Sequence, residues 1–434
     1  MNVLQQPIIG TSHRVDHVHV LAKPTGAICN LDCKYCFFLS KEMLYPGSRF
    51  RMADELLETY IRQLLESQIG PEVNIAWQGG EPTLMGLDFF ERAVEHAERH
   101  KGPGQSLAYT IQTNGTRLDD DWAAFFKAHK YLVGLSLDGP RLFHDAYRVD
   151  KGGEGTFDSV MRGWRVLEKH GVDVNILCTV HAANADYPRE VYRFFRDELK
   201  TQFIQFIPIV ERVTTEMLPV ANDGWGERGS DPRPLYVLEG HEVTDRSLKA
   251  EQWGRFLIGV FDEWIQHDVG QVFVQMFDAA LASWVGVPPA MCIFNETCGS
   301  ALALEHNGDL YSCDHFVEPK HLLGNIQQVH MLQLVTSKQQ RQFGLAKRDT
   351  LPRYCRECSV RFACHGECPK NRFIMTPDGE PGLNYLCAGY KAFFTHIDRP
   401  MRMMADLLRR GRYADEVMAI LESERSAGVM SAAR

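Results

Sequence analysis

Cys29, Cys33 and Cys36 stand in one short loop with the spacing CxxxCxxC, inside Pro24-Thr-Gly-Ala-Ile-Cys29-Asn-Leu-Asp-Cys33-Lys-Tyr-Cys36-Phe-Phe38. Three thiolates this close can wrap three irons of a 4Fe-4S cube and leave the fourth iron without a protein ligand. An open metal position is what catalysis requires, because a substrate or cofactor can coordinate there. Zinc competes, but a structural zinc site closes on four ligands, and no fourth Cys or His adjoins the loop. Buried structural cysteines rarely cluster so tightly, and a ferredoxin-type cluster would need a fourth cysteine from far away.

Eight more cysteines lie in the second half, as Cys292-x5-Cys298-x14-Cys313 and Cys355-x2-Cys358-x5-Cys364-x3-Cys368-x18-Cys387. Eight thiolates suit two fully ligated 4Fe-4S clusters, which would make three clusters with the first loop. They also suit two zinc sites, since Cys355-x2-Cys358 is half of a zinc ribbon, and spacing alone leaves both open. Of the twelve cysteines in the chain, Cys178 remains. It lies in the apolar stretch Asn175–Val180 and is expected in the core. A disulfide scaffold belongs to small secreted domains, which 434 residues without a visible export signal do not suggest.

The elements that must position these residues alternate along the first half. Short apolar strands are expected over 17–21, 73–77, 109–112, 132–136, 174–180 and 203–207. Amphipathic helices are expected between them, over 54–68, 87–100, 120–129, 156–170 and 187–199. Leu56, Leu57, Tyr60, Ile61, Leu64 and Leu65 form the apolar stripe of the first. Six βα units with right-handed crossovers make an α/β fold, a partial (β/α)6 barrel. The cysteine loop then follows the first strand, at the end where barrels build active sites. Residues 219–240 are rich in Gly, Pro, Asp and Trp and read as an irregular loop within the longer segment 211–248, a candidate for substrate contacts. Residues 251–267 have a helical pattern. Leu302–Ser312 alternates around Asn307-Gly308, a hairpin signal. The tail over 396–425 has amphipathic helical character.

The net charge of −9 gives nucleic-acid binding no support. No apolar run approaches the roughly 20 residues of a membrane span. These features predict a cytoplasmic protein with no membrane or nucleic-acid partner.

Taken in order, these motifs resemble the radical S-adenosylmethionine superfamily. Gln78-Gly79-Gly80-Glu81-Pro82 follows the second strand, Gln112-Thr113-Asn114-Gly115 the third and Ser136-Leu-Asp138-Gly139 the fourth. The resemblance implies S-adenosylmethionine bound through its amino and carboxylate groups to the open iron, and a 5′-deoxyadenosyl radical formed by its reductive cleavage. It implies cofactor contacts from Gln78, Gly79, Gly80 and Glu81, from Asn114, from Ser136 and Arg148 toward the carboxylate and ribose, and from Ile209 near the adenine. Many relatives carry Tyr two residues after the third cysteine. Phe38 stands there in this chain, which keeps a packing role against the cofactor and loses any role for a hydroxyl.

The run Cys355–Pro369 is similar to the SPASM domain of peptide-modifying radical enzymes. That resemblance implies interleaved ligands, Cys292, Cys298, Cys313 and Cys368 for one auxiliary cluster and Cys355, Cys358, Cys364 and Cys387 for the other. The implied organisation is a radical partial barrel over 15–240, a linking helical segment over 241–290, a SPASM domain over 291–395 and a helical tail over 396–434.

With Trp77 before Gln78, Gln205-Phe-Ile-Pro208 and Tyr311-Ser-Cys313-Asp314-His315-Phe316 added, the resemblance narrows to the anaerobic sulfatase-maturating enzymes. It implies oxidation of a cysteine or serine to Cα-formylglycine in an unfolded or nascent sulfatase. It also implies a low-potential flavodoxin- or ferredoxin-like electron donor and Asp314 as the catalytic base. A carboxylate beside a cluster ligand would let proton and electron depart together. Two alternatives differ in kind. One is a SPASM maturase that cross-links ribosomal peptides, which often carries a recognition module before the barrel, whereas here the cysteine loop starts at residue 29. The other is a zinc-stabilised or ferredoxin-like binding protein without catalysis. Colour separates zinc, which is colourless, from brown iron clusters.

Overall fold

The structure is a computed structural model that describes residues 18–226 and 234–432. Six parallel strands form its frame: β1 His19–Lys23, β2 Glu72–Trp77, β3 Ser106–Thr113, β4 Tyr131–Ser136, β5 Asp173–Val180 and β6 Phe203–Pro208. They lie side by side in sequence order. The first strand was expected from His17, which lies outside the described residues. Helices return the chain between strands, beginning with α1 Asp54–Ser67 and α2 Leu87–His100. The predicted stripe of α1, Leu56 to Leu65, is buried against the sheet together with the inner face of α2. Cys178 is fully buried in β5, and all twelve cysteines are free of disulfides.

The sheet does not end with the six strands. After the short pair β7 Arg212–Val213 and β8 Glu242–Val243, strand β9 Phe273–Val274 pairs in parallel with β6. On the opposite edge, β10 Ala301–Glu305 pairs in parallel with β1, in register from His19↔Ala301 to Lys23↔Glu305. The hairpin turn at Asn307-Gly308 leads to β11 Asp309–Tyr311, and β12 Leu322–Asn325 completes a 10-stranded sheet. The cysteine-rich half thus shares the barrel's sheet, and the end of β11 delivers Asp314 beside the end of β1. A separate small ladder, β13 Arg372–Met375 and β14 Pro381–Asn384, stands in the chain between Cys368 and Cys387.

Residues 219–240 are more ordered than their composition predicts. Leu218–Asp223 is a helix, because Pro219 falls in its first turn, where a missing N–H costs nothing. Ala221, Trp225, Tyr236 and Leu238 pack with Val213 into a small core of their own. Residues 227–233 of this segment lie outside the described residues. The tail begins earlier than the pattern suggested, as a helix over Cys387–Arg409, followed by Val417–Ala432. The first of these lies against the helix Ala250–His267, and a Cβ on Gly389 would meet the Ala250 carbonyl at 2.1 Å, so glycine permits the close crossing. Among the described residues no helix is long and apolar enough to cross a membrane.

Candidate active site

The cysteine loop is held from several sides. Asp32 and Lys34 donate backbone N–H groups to the carbonyls of Val149 and Tyr147, each at 2.9 Å. Between Cys33 and Cys36, the Tyr35 hydroxyl donates to Asp138 Oδ2 at 2.5 Å. Arg148 grips the same carboxylate with Nε at 2.8 Å and Nη2 at 3.0 Å. Thr179 N donates to Asp138 Oδ1 at 2.9 Å. Burial alone would raise the Asp138 carboxyl, but Arg148 and His181 hold it well below the usual range. Arg148, expected at the cofactor, is therefore buried beneath the loop and faces Cys33 electrostatically.

Burial pushes all three thiols up. Cys33 reaches about 12, with Arg148 pulling it down and Cys36 adding to the rise. Three buried thiols that must ionise together need positive charge among them, and an iron cluster supplies it. The donor set fits that group.

The glycine motif docks onto this loop. Gly80 N donates to Gly26 O at 2.8 Å, and Glu81 N to Ile28 O at 2.9 Å. A Cβ on Gly80 would lie 2.0 Å from Ile28 O, so only glycine fits. The Glu81 carbonyl in turn accepts from Leu84 N at 3.2 Å and Thr25 Oγ1 at 3.4 Å, which fixes the motif from both sides. Glu81 is fully buried, and its carboxylate accepts from Thr83 N, Thr83 Oγ1, Thr113 Oγ1 and Asn114 N at 2.6–3.1 Å, which clasps the ends of β2 and β3. Asn114 Nδ2 lies 3.7 Å from Cys29 Sγ and donates to Asn30 Oδ1 at 3.0 Å. Ile209 packs against Leu31, Cys33 and Tyr35. Ser136 ends β4, half-buried.

Asp314 meets the barrel through Lys23, the last residue of β1, which is buried and ion-paired with Asp314 Oδ1. Lys23 Nζ also lies 3.6 Å above the Phe38 ring and donates to Gln78 Oε1 at 3.3 Å. Gln78 Nε2 in turn donates to Gln112 Oε1 at 2.7 Å. Burial pushes the Asp314 carboxyl up, Lys23 and His315 pull it down, and the pull wins. The site therefore presents an ionised carboxylate on a polar chain that crosses three strand ends.

The other cysteines fall into two groups. Cys355, Cys358, Cys364 and Cys387 line one cavity with Tyr354 and Tyr390. Cys292, Cys298, Cys313 and Cys368 influence one another electrostatically, with Lys347 Nζ bound at 2.8 Å to the carbonyls of Cys292 and Ile293. Two four-thiol sets of this kind suit two fully ligated clusters. Lys23, Tyr35 and Asp138 were not predicted as site residues. The one available signal was Lys23, a charge at the inward end of the apolar strand His-Val-Leu-Ala-Lys.

A parallel partial barrel with an open three-cysteine loop at its mouth, joined to cysteine-rich clusters, defines a radical enzyme. The radical SAM superfamily matches residues 24–195, and the SPASM iron-sulfur cluster-binding domain matches residues 292–359. Cys364, Cys368 and Cys387 lie beyond the second match. The chain is 44% identical over 409 residues to a serine-type anaerobic sulfatase-maturating enzyme of Bacteroides thetaiotaomicron, covering 93% of this chain and 95% of that one. It is 33% identical over 380 residues to a cysteine-type anaerobic sulfatase-maturating enzyme of Clostridium perfringens, covering 87% and 95%. The structure of native anSMEcpe with bound AdoMet and Cp18Cys peptide superposes with a TM-score of 0.75 at 32% identity, covering 90% of this chain and 99% of that one. The chain belongs to the anaerobic sulfatase-maturating enzymes.

Proposed function

We propose that this radical SAM enzyme oxidises one serine or cysteine of a newly made sulfatase to Cα-formylglycine in the cytoplasm. The observation that carries the reading is the Asp314–Lys23 ion pair at the barrel mouth, next to Gln78 and Phe38. Cys29, Cys33 and Cys36 would hold the cluster that binds S-adenosylmethionine. Cys292, Cys298, Cys313 and Cys368, and Cys355, Cys358, Cys364 and Cys387, would hold the two auxiliary clusters. When bound, these groups supply a hydrogen-abstracting radical and a sink for one electron.

The chain's own residues do the rest. Glu81, Asn114 and the Gly79-Gly80 backbone shape the cofactor site, with Ser136, Arg148, Ile209 and Phe38 around it. The target side chain loses a hydrogen atom from Cβ, and Asp314 takes the proton of its hydroxyl or thiol. With one electron withdrawn, the carbon–oxygen or carbon–sulfur double bond closes. Serine yields the aldehyde directly, and cysteine yields a thioaldehyde that water converts to aldehyde and hydrogen sulfide. Lys23 keeps Asp314 charged and able to accept that proton. Peptide contacts are assigned to the segment 211–248, whose buried core around Trp225 and Tyr236 packs against the partly buried Phe37 beside the cysteine loop and Phe316 beside Asp314. A low-potential flavodoxin- or ferredoxin-like protein would supply electrons.

The higher identity to a serine-type relative favours serine as the target. The test is an anaerobic assay of cluster-loaded protein with S-adenosylmethionine, a reductant and sulfatase-derived peptides bearing either residue. Aldehyde by mass spectrometry, with matching 5′-deoxyadenosine, is expected. Asp314→Ala should still release deoxyadenosine and form no aldehyde. Deoxyadenosine without peptide change in the wild type would sink the sulfatase reading.

A further inference from the structure

On the outer helical layer, away from every cysteine, α1 and α2 bring together Glu58, His96 and His100. The two histidines are four residues apart on one face of α2, the spacing at which helical side chains meet. One ligand atom from each of the three residues lies within 4.8 Å of the others. His100 Nε2 is 2.8 Å from Glu58 Oε1, and His96 Nδ1 is 3.9 Å from the same oxygen.

His96 makes this more than a surface ion pair. It is only 6% exposed, yet neither ring nitrogen has a hydrogen-bond partner. A buried imidazole is normally satisfied, so two free nitrogens ask for a ligand. Its Nε2 faces Asp54 Oδ2 at 3.7 Å, too far for a hydrogen bond. A tetrahedral zinc ion with ligands at about 2.0–2.1 Å holds its donor atoms about 3.3 Å apart, between the two separations observed around Glu58. Asp54 then accepts from the second nitrogen of His96, the outer carboxylate that metal-bound histidines commonly have. Arg92 on Asp54 at 2.8 Å and Arg99 at 3.6 Å from Glu58 neutralise the carboxylates without the ion. Arg99 is largely exposed and free to swing out.

We propose that Glu58, His96 and His100 bind a divalent transition-metal ion, with zinc the best fit and water in the fourth position. The ion cross-links α1 to α2 and stiffens the first two βα units that carry the cysteine loop and the glycine motif. The mixed imidazole and carboxylate set suits zinc better than magnesium or calcium, which take oxygen ligands.

The test uses the full chain loaded with its clusters, so that the ligand cysteines are occupied by iron. Zinc chloride is added anaerobically, excess is removed by gel filtration, and zinc and iron are counted by elemental analysis. A single zinc is expected in the wild type and none in His100→Ala, with iron equal in both. Glu58→Gln keeps the shape of the side chain and should lose the zinc as well. Zinc X-ray absorption should show nitrogen and oxygen neighbours only. Sulfur at about 2.3 Å would place the zinc on cysteine and overturn the proposal. So would equal zinc in wild type and His100→Ala, or no zinc in the wild type.

Discussion

Replacing Lys23 by methionine keeps the length of the side chain and removes its charge. Lys23 is almost fully buried and Asp314 mostly so, and the two are directly paired. Removing one partner of a buried pair costs about 3–5 kcal/mol, because the other charge is left uncompensated. The site relieves that cost by keeping a proton on Asp314. Burial is the largest influence on this carboxyl and raises it, whereas Lys23 is the largest one holding it down. Without Lys23 the carboxyl must rise, so a larger share of it carries a proton and cannot act as base. At about 1.4 kcal/mol per tenfold, the penalty corresponds to a fall in formylglycine formation on the order of 100-fold or more. The loss should shrink as pH rises, since alkali restores the carboxylate. Deoxyadenosine release, which needs the cysteine loop, the glycine motif and the cofactor but no proton transfer to Asp314, should stay near the wild-type level. Lys23→Arg should recover much of the product. The assay is paired quantification of aldehyde and deoxyadenosine across pH. A Lys23→Met enzyme with wild-type product and a flat pH profile would refute the account of Asp314.

Gly80→Ala should abolish cofactor cleavage while iron content is retained. Its Cβ would drive the motif off Ile28 O, breaking two hydrogen bonds worth about 0.5–1.5 kcal/mol each, and a displacement of about 1 Å can cost 100-fold in rate. Normal deoxyadenosine release would contradict the docking of this motif. Cys178→Ser should leave iron content unchanged, because Cys178 is buried in β5; a deficit of about four irons would make it a ligand. His144 is buried, with Nδ1 accepting from Asp138 N at 3.3 Å, and burial followed by Arg148 lowers it to about 3. An unfolded histidine titrates near 6.5, so below that pH the unfolded chain binds a proton that the folded chain refuses. Stability therefore falls as pH falls, by at most about 1.4 kcal/mol per unit. His144→Asn, which retains an acceptor, should flatten the decline of the thermal midpoint between about pH 7.5 and 5.5; an unchanged slope would show that His144 is not the group responsible.

The frame of this protein was legible because each barrel strand is a short apolar run closed by polar or glycine residues, and each helix has a clear stripe. The predicted helix over 87–100 matches α2 end to end. The cysteine loop and glycine motifs were legible because their chemistry depends on local spacing. What stayed hidden depends on distant contacts. Nothing in Ala301–Glu305 says that it pairs with β1 and in parallel. Lys23 gains its meaning only from Asp314, 291 positions away. Tyr35 and Asp138 look ordinary until the fold joins them across the loop. The helix at Leu218–Asp223 was masked by the turn-forming residues around it, although its own tryptophan and tyrosine neighbours supply a core.

The parallel pairing of β10 with β1 also bears on how the protein is made. Synthesis proceeds from the N-terminus, so β1 emerges long before its partner at residues 301–305. Until then one edge of the barrel is an open row of backbone donors and acceptors, which invites pairing with other chains. A product truncated after β6 should be prone to aggregate, and the nascent chain should depend on chaperones until its last third appears. Asp314 arrives with that late segment. An interrupted ribosome therefore leaves a barrel without the Asp314–Lys23 ion pair at its mouth.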